Sequence, residues 1–163
     1  MMVDHAMVAP NFMDGATVVE NARAWIGTPY RHQASCKGAG TDCLGLIRGL
    51  YRELYGREPE MLPPYSAAWA ETSPHAPREM MFQAARRHLI EIDTADARPG
   101  DVLLFRMRQE QPMKHAAIQS RASCMIHAYA RHCVAETSIG PWWQARLAAA
   151  FRYPSKAVLH ALP

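Results

Sequence analysis

Apolar residues recur at helical spacing twice in the first third of the chain. Val18, Ala22, Trp25 and Ile26 fall on one face, which predicts a helix over about 14–25 that Gly27 stops. From Cys43 onward two apolar rows run in parallel, Leu46, Leu50 and Leu54 beside Ile47, Tyr51 and Tyr55, and Gly56 is placed to end a second helix. The stretch 57–77 is rich in proline and broken in pattern, so it reads as a loop inside one domain, with a short helix expected from about 77 to 89 or 90. After Pro99 and Gly100 the apolar spacing shortens to that of strands, expected at 102–105, 113–119, 124–129 and 133–136, with a last one near 151–153. Helices first and strands later predict an α+β architecture.

Within this pattern one cysteine is chemically conspicuous. Gly38 and Gly40 lead into Thr41 and Asp42, whose side chains can accept from the orphan N–H groups of a first helical turn, and Cys43 follows near the first helical position. The positive end of a helix favours thiolate over thiol, and helix-terminal cysteines can fall from about 8.5 to roughly 3.5–7.5. Asp42 is readable either as a plain N-cap or as part of the substrate site, with the backbone N–H beside it or that of Cys43 placed to bind an oxyanion. A cysteine at a helix start is also a common small core residue, so the thiol needs a base. His115, in KHAAI, and His127, in CMIHAYA, lie twelve residues apart in two apolar runs. A hairpin with QSRAS (119–123) as its connection would put the two imidazoles on neighbouring strands. His115 could then take the proton of Cys43, while His127 holds the far ring nitrogen of His115.

These residues resemble the NlpC-like cell-wall peptidases, a papain-like group with a Cys, a His and a third polar residue in that order. The resemblance is carried by GTPYRHQASCKGAGTDCLGL, by the PGD turn in RPGDVLLF, by HAAI and by IHA at 126–128, and it covers most of the chain. It implies a papain-like fold, with the nucleophile at the start of a helix that packs on an antiparallel sheet bearing the histidines. It also implies catalytic Cys43, His115 and His127, a Tyr30 hydroxyl that helps place substrate near the nucleophile, and a reaction that requires no cofactor. The implied substrate is the peptidoglycan stem peptide, cut at a bond involving D-glutamate and a diamino acid. Leu44 and Ala117 stand where the group has a small polar residue and a glycine, and Gln33, Ala34 and Ser35 stand where a glycine pair often follows the motif's aromatic. The run HQASCKGAGTDCLGLIRGLYRELYG resembles the short peptidases of phage tails and gene transfer agents, which implies tail hub or baseplate proteins as partners. Two other readings stay open: a structural tail or baseplate protein with little activity, and a papain-like amidase or acyltransferase.

Length and charge narrow the picture further. A chain of 163 residues with 49% hydrophobic and 20% charged positions fits one domain over 1–163, with about 1–13 as a flexible N-terminal segment. No apolar run approaches the roughly 20 residues of a membrane span. The net charge of +3 comes without clustered Lys and Arg, so no nucleic-acid partner is expected. The opening MMVDHAMVAPNF lacks a secretory pattern, so synthesis in the cytoplasm is expected, with action at the cell wall or periplasm after delivery in a tail, release on lysis, or export by a leader since removed. The spacings of Cys36, Cys43, Cys124 and Cys133 suit zinc poorly, and Cys36, Cys124 and Cys133 read as buried free thiols, a Cys124–Cys133 disulfide being conceivable. Trp142 and Trp143 fit either core packing or a binding surface.

Overall fold

Asp14 opens the first helix by accepting from the backbone N–H of Thr17 at 3.0 Å and from its hydroxyl at 2.9 Å, and the computed structural model describes residues 11–65 and 79–160. Helix α1 (Gly15–Arg23) ends two residues short of the expected boundary, because the chain turns at Ala24 toward Gly27, which takes a φ of 90°. Trp25 is still buried, its indole N–H donating to Glu53 at 3.1 Å. A small hairpin, β1 (Ser35–Cys36) and β2 (Gly40–Thr41), leads into helix α2 (Cys43–Tyr55). That helix has the expected limits, with Asp42 as N-cap and Gly56 in the left-handed conformation at φ 73°, donating to Arg52 O at 2.8 Å.

The loop after α2 is tied back to it, since Glu58 accepts from Arg48 at 2.6 Å and from Arg52 at 2.9 Å. Helix α3 (Met80–His88) follows; the rest of the expected loop and helix start, 66–78, lies outside the described residues. Next come β3 (Ile90–Ile92), a 3₁₀ turn at Thr94–Asp96, β4 (Val102–Phe105), β5 (His115–Arg121), β6 (Cys124–His127), β7 (Ala135–Ser138), α4 (Pro141–Gln144), β8 (Leu147–Arg152) and α5 (Lys156–Leu159). The strands form one antiparallel sheet in the order β3-β8-β4-β5-β6-β7, which is the expected α+β class.

Several expected boundaries move, each for a hydrogen-bonding reason. Strand β5 runs on to Arg121, because the backbone of Gln119 bonds to Gly100 and Asp101 at 2.8 Å each; Arg121 pairs with Cys124, and the hairpin connection shrinks to Ala122 and Ser123. Strand β7 begins at Ala135 and not at Cys133, because Val134 is held by Thr28 O at 2.8 Å and by the N–H of Gly27 at 2.9 Å. Cys133 therefore lies in an exposed loop and Cys36 in an exposed hairpin, contrary to the buried reading, and all four cysteines are free. Residues 11–13, expected in a flexible segment, pair instead with the C-terminal region: Phe12 bridges Pro154, and Met13 donates to Tyr153 O at 2.9 Å.

The sheet is buried on both faces, which explains the uninterrupted apolar run of β4. One face carries Leu104, Ala116, Ile118, Ile126 and Phe151 against the helices, in a core with Trp25, Leu46 and Leu50. The other carries Leu103, Phe105, Ala117, Met125 and Ala150 against Ile139 and Trp143. Asp101, buried just before β4, takes a two-pronged contact from Arg152 of β8 at 2.8 Å on each side.

The α1–α2 approach depends on Gly49, where an added Cβ would stand 2.2 Å from the indole of Trp25. Gly49→Ala is expected to lower stability by roughly 1–3 kcal/mol, seen as a lower urea midpoint. An unchanged midpoint would contradict this packing.

Candidate active site

The start of α2 is built around one carboxylate. Asp42 is 3% exposed; its Oδ1 accepts from Gly45 N–H at 2.7 Å, and its Oδ2 accepts from Gln33 N–H at 2.7 Å and from the Tyr65 hydroxyl at 2.6 Å. These bonds fix the turn that presents Cys43 at the first helical position. Gln33 takes a left-handed φ of 64°, a conformation that favours glycine, and its bond to Asp42 helps hold it there. The backbone N–H of Asp42 donates to Ala34 O at 3.2 Å, which leaves the N–H groups of Cys43 and Leu44 facing the sulfur.

The half-buried thiol of Cys43 rests on strand β5 at the base. Its Sγ stands 3.8 Å from the carbonyl oxygen of Lys114, with the N–H of Ala116 also directed at it, so it lies against the backbone on both sides of His115. The two histidines meet directly: His115 Nε2 is 2.9 Å from His127 Nδ1, and His127 Nε2 is 3.0 Å from the hydroxyl of Thr137. Both imidazoles are buried, in an aromatic cage of Phe105, Tyr129 and Trp143, whose rings lie 5.0–6.0 Å from one another or from a histidine ring. Tyr30 bridges Thr41, and its phenol pKa is raised by burial, then by the neighbouring charges of Cys43 and Asp42.

The electrostatics reverse one expectation. Burial pushes the Cys43 thiol up to about 12, the Asp42 carboxylate adds to the rise, and the N–H groups of Ala116, Leu44 and Cys43 pull against it without prevailing. Desolvation of the sulfur outweighs the helix terminus. His115 is held down to about 3 by burial and then by His127, and His127 to about 4 by burial and then by His132. The resting site thus pairs a protonated thiol with neutral imidazoles.

The five residues singled out in the sequence all lie around the start of α2 or on the strands behind it, though in different roles. Cys43, His115 and His127 form one line across α2, β5 and β6. Tyr30 sits beside Cys43, while the Asp42 side chain is spent on internal bonds. Leu44 turns to an apolar cavity of about 60 Å³ that Ile47, Tyr51, Met81 and Leu104 also line. Sequence reasoning missed Thr137 and Tyr65. Thr137 lies just past the strand expected at 133–136, and Tyr65 sits in an aperiodic loop that gives no signal. Trp143 proves to serve the second core and the histidine cage together. Among the described residues, no group of three His, Cys, Asp or Glu side chains could hold a metal ion, and no helix is long and apolar enough to cross a membrane.

Residues 27–152 match the family model described as the NlpC/P60 family. The chain is 26% identical over 154 residues to the probable endopeptidase NlpC of Escherichia coli (strain K12), covering 87% of each. Among solved structures it is similar to the NlpC/p60 domain of the peptidoglycan hydrolase SagA, at 24% identity and TM-score 0.57, covering 85% of this chain and 98% of that one. It is likewise similar to an NlpC/P60 family protein from Bacillus cereus ATCC 10987, at 20% identity and TM-score 0.61, covering 93% of this chain and 41% of that one. These last two likenesses are of fold.

Two outcomes follow from the neutral resting site. Alkylation of Cys43 by iodoacetamide, followed by peptide mass spectrometry, is expected to accelerate up to pH 9 or beyond, the thiol being held up at about 12; a plateau below neutral pH would reveal a standing thiolate. Unfolded histidines bind protons below their ordinary 6.5 while the folded pair resists them to about 3 and 4. Stability should therefore fall as pH drops through that window, measured as a declining urea midpoint whose slope is shallower in His127→Asn.

Proposed function

Because the chain belongs to the NlpC/P60 family, we propose that it is a cysteine peptidase that hydrolyses peptide bonds in peptidoglycan stem peptides. Cys43 is its nucleophile, His115 its base and His127 the residue that orients the base. The observation carrying this reading is the 2.9 Å contact between His115 and His127 directly behind a thiol seated on the backbone at Lys114 and Ala116, on either side of His115. The names of its relatives, a probable endopeptidase and a peptidoglycan hydrolase, support the substrate class.

The chemistry is acyl transfer. As the peptide carbonyl arrives, the thiol proton passes to His115 and the sulfur bonds to the carbonyl carbon. The N–H groups of Cys43 and Leu44, at the start of α2 and directed at the sulfur, face the developing oxyanion. His115 returns its proton to the departing amine, leaving a thioester on Cys43. A water molecule then gives a proton to His115 and attacks the thioester, releasing the acid and restoring the thiol. His127 accepts from His115 throughout and steadies the imidazolium while it exists. Since the thiol starts protonated, proton transfer is tied to substrate binding, which also displaces water from the site.

The resemblance of residues 32–56 to short peptidases of phage tails supports a further assignment, that the protein acts as a tail component at the cell wall or periplasm, bound to hub or baseplate proteins. Tyr30 then lines the substrate side of the nucleophile.

Mass spectrometry of fragments released from purified peptidoglycan tests the reaction and identifies the bond. Release is expected from the wild type and to fall roughly 10³-fold or more in Cys43→Ala and His115→Ala, with a smaller loss, roughly 10²-fold, in His127→Asn, whose amide can still accept from an imidazole. Equal release by wild type and Cys43→Ala would overturn the assignment.

A further inference from the structure

The line of polar groups does not stop at the two histidines. In the β6–β7 ladder His127 pairs with Ala135, and residues two apart on a strand share a face, so Thr137 stands diagonally beside His127 on the same side of the sheet. The same relation holds across β5–β6, where Ile118 pairs with Ile126 and His115 falls diagonal to His127. Successive one-step diagonals thus align three side chains, with contacts of 2.9 Å from His115 Nε2 to His127 Nδ1 and 3.0 Å from His127 Nε2 to Thr137 Oγ1.

Proton placement along this line is constrained by the chemistry of imidazole, because a neutral ring has one donor nitrogen and one acceptor nitrogen. His115 uses Nε2 toward His127, so Nδ1 is the nitrogen left to receive a proton from Cys43, and it must start bare. Nε2 of His115 then carries the hydrogen and donates to Nδ1 of His127. His127 in turn must carry its own hydrogen on Nε2, where the only group the line offers is the hydroxyl of Thr137. In the opposite polarity every hydrogen shifts by one place, Nδ1 of His115 is blocked, and the base cannot act.

Resting on the peptidase reading above, we propose that Thr137 is a positioning residue that accepts from His127 Nε2–H and so holds both histidines in the tautomers that leave His115 able to take the thiol proton. A valine at this place has nearly the same shape but leaves that N–H without an acceptor in a buried site, a penalty borne by the productive tautomer. Thr137 touches neither thiol nor substrate; it acts through His127 alone.

The decisive measurement is ¹⁵N NMR of the histidine ring nitrogens at neutral pH in the wild type, Thr137→Val and Thr137→Ser. His127 is expected to carry its hydrogen on Nε2 in the wild type and in Thr137→Ser, and to become a mixture of tautomers in Thr137→Val. On soluble muropeptides prepared from peptidoglycan, kcat of Thr137→Val should fall about tenfold at unchanged KM, and Thr137→Ser should recover to within about threefold of wild type. A wild-type His127 protonated on Nδ1 overturns the proposal. So does a folded Thr137→Val with wild-type tautomer and kcat, or a Thr137→Ser as impaired as the valine variant. If Thr137→Val does not fold, the wild-type spectrum and the serine variant still decide. If the wild type cleaves nothing, the peptidase reading fails while the nitrogen spectrum continues to report on the tautomer.

Discussion

The buried carboxylate of Asp42 is the constraint on which the site depends. It stands in the gap between the β1–β2 hairpin and α2 and satisfies donors from three directions: the helix's own first turn at Gly45, the strained backbone of Gln33, and the Tyr65 hydroxyl from the loop beyond the helix. Without these bonds the helix would have no fixed first residue, and Cys43 would have no fixed direction. The same charge disfavours the thiolate next to it. The residue that aims the thiol of Cys43 through its hydrogen bonds therefore also restrains its ionisation through its charge.

Behind Cys43 the restraint is of another kind. His115 and His127 lie among Phe105, Tyr129 and Trp143; Phe105 and Trp143 belong to the second core as much as to the site, while Tyr129 closes the cage from the surface. Burial of this sort keeps the imidazoles neutral. The two sheet faces divide the labour: the helix face delivers the thiol, the opposite face holds the histidines, and the strand segment 114–116 passes between them.

Much of this was legible in the order of residues. The limits of α2 could be read directly, because its cap, its stop and its apolar rows agree with one another. The association of Cys43, His115 and His127 was legible from motif order, which survives wherever strand ends shift. What escaped were features that depend on pairing partners: β5 lengthens because Gln119 finds Asp101, and β7 starts late because Val134 is claimed by Thr28 and Gly27. The β1–β2 hairpin is too short to leave a period. The state of the thiol was misread for a related reason, since a helix terminus is visible in sequence while desolvation is a property of everything that surrounds the sulfur. Tyr65 and Thr137 belong to the same class, residues of ordinary type made important by what lies opposite them.

The protonated thiol of Cys43 has a consequence for how the protein ages. Peroxides and disulfides react with thiolates and hardly at all with thiols, so Cys43 is a poor target for oxidants while it waits. Cys36 and Cys133, both exposed, present their sulfur to solvent instead. Oxidative ageing would accordingly begin at the periphery, as mixed disulfides or cross-links between molecules, and leave Cys43 intact; the sulfurs that age first and the sulfur held in reserve are different cysteines of the same chain.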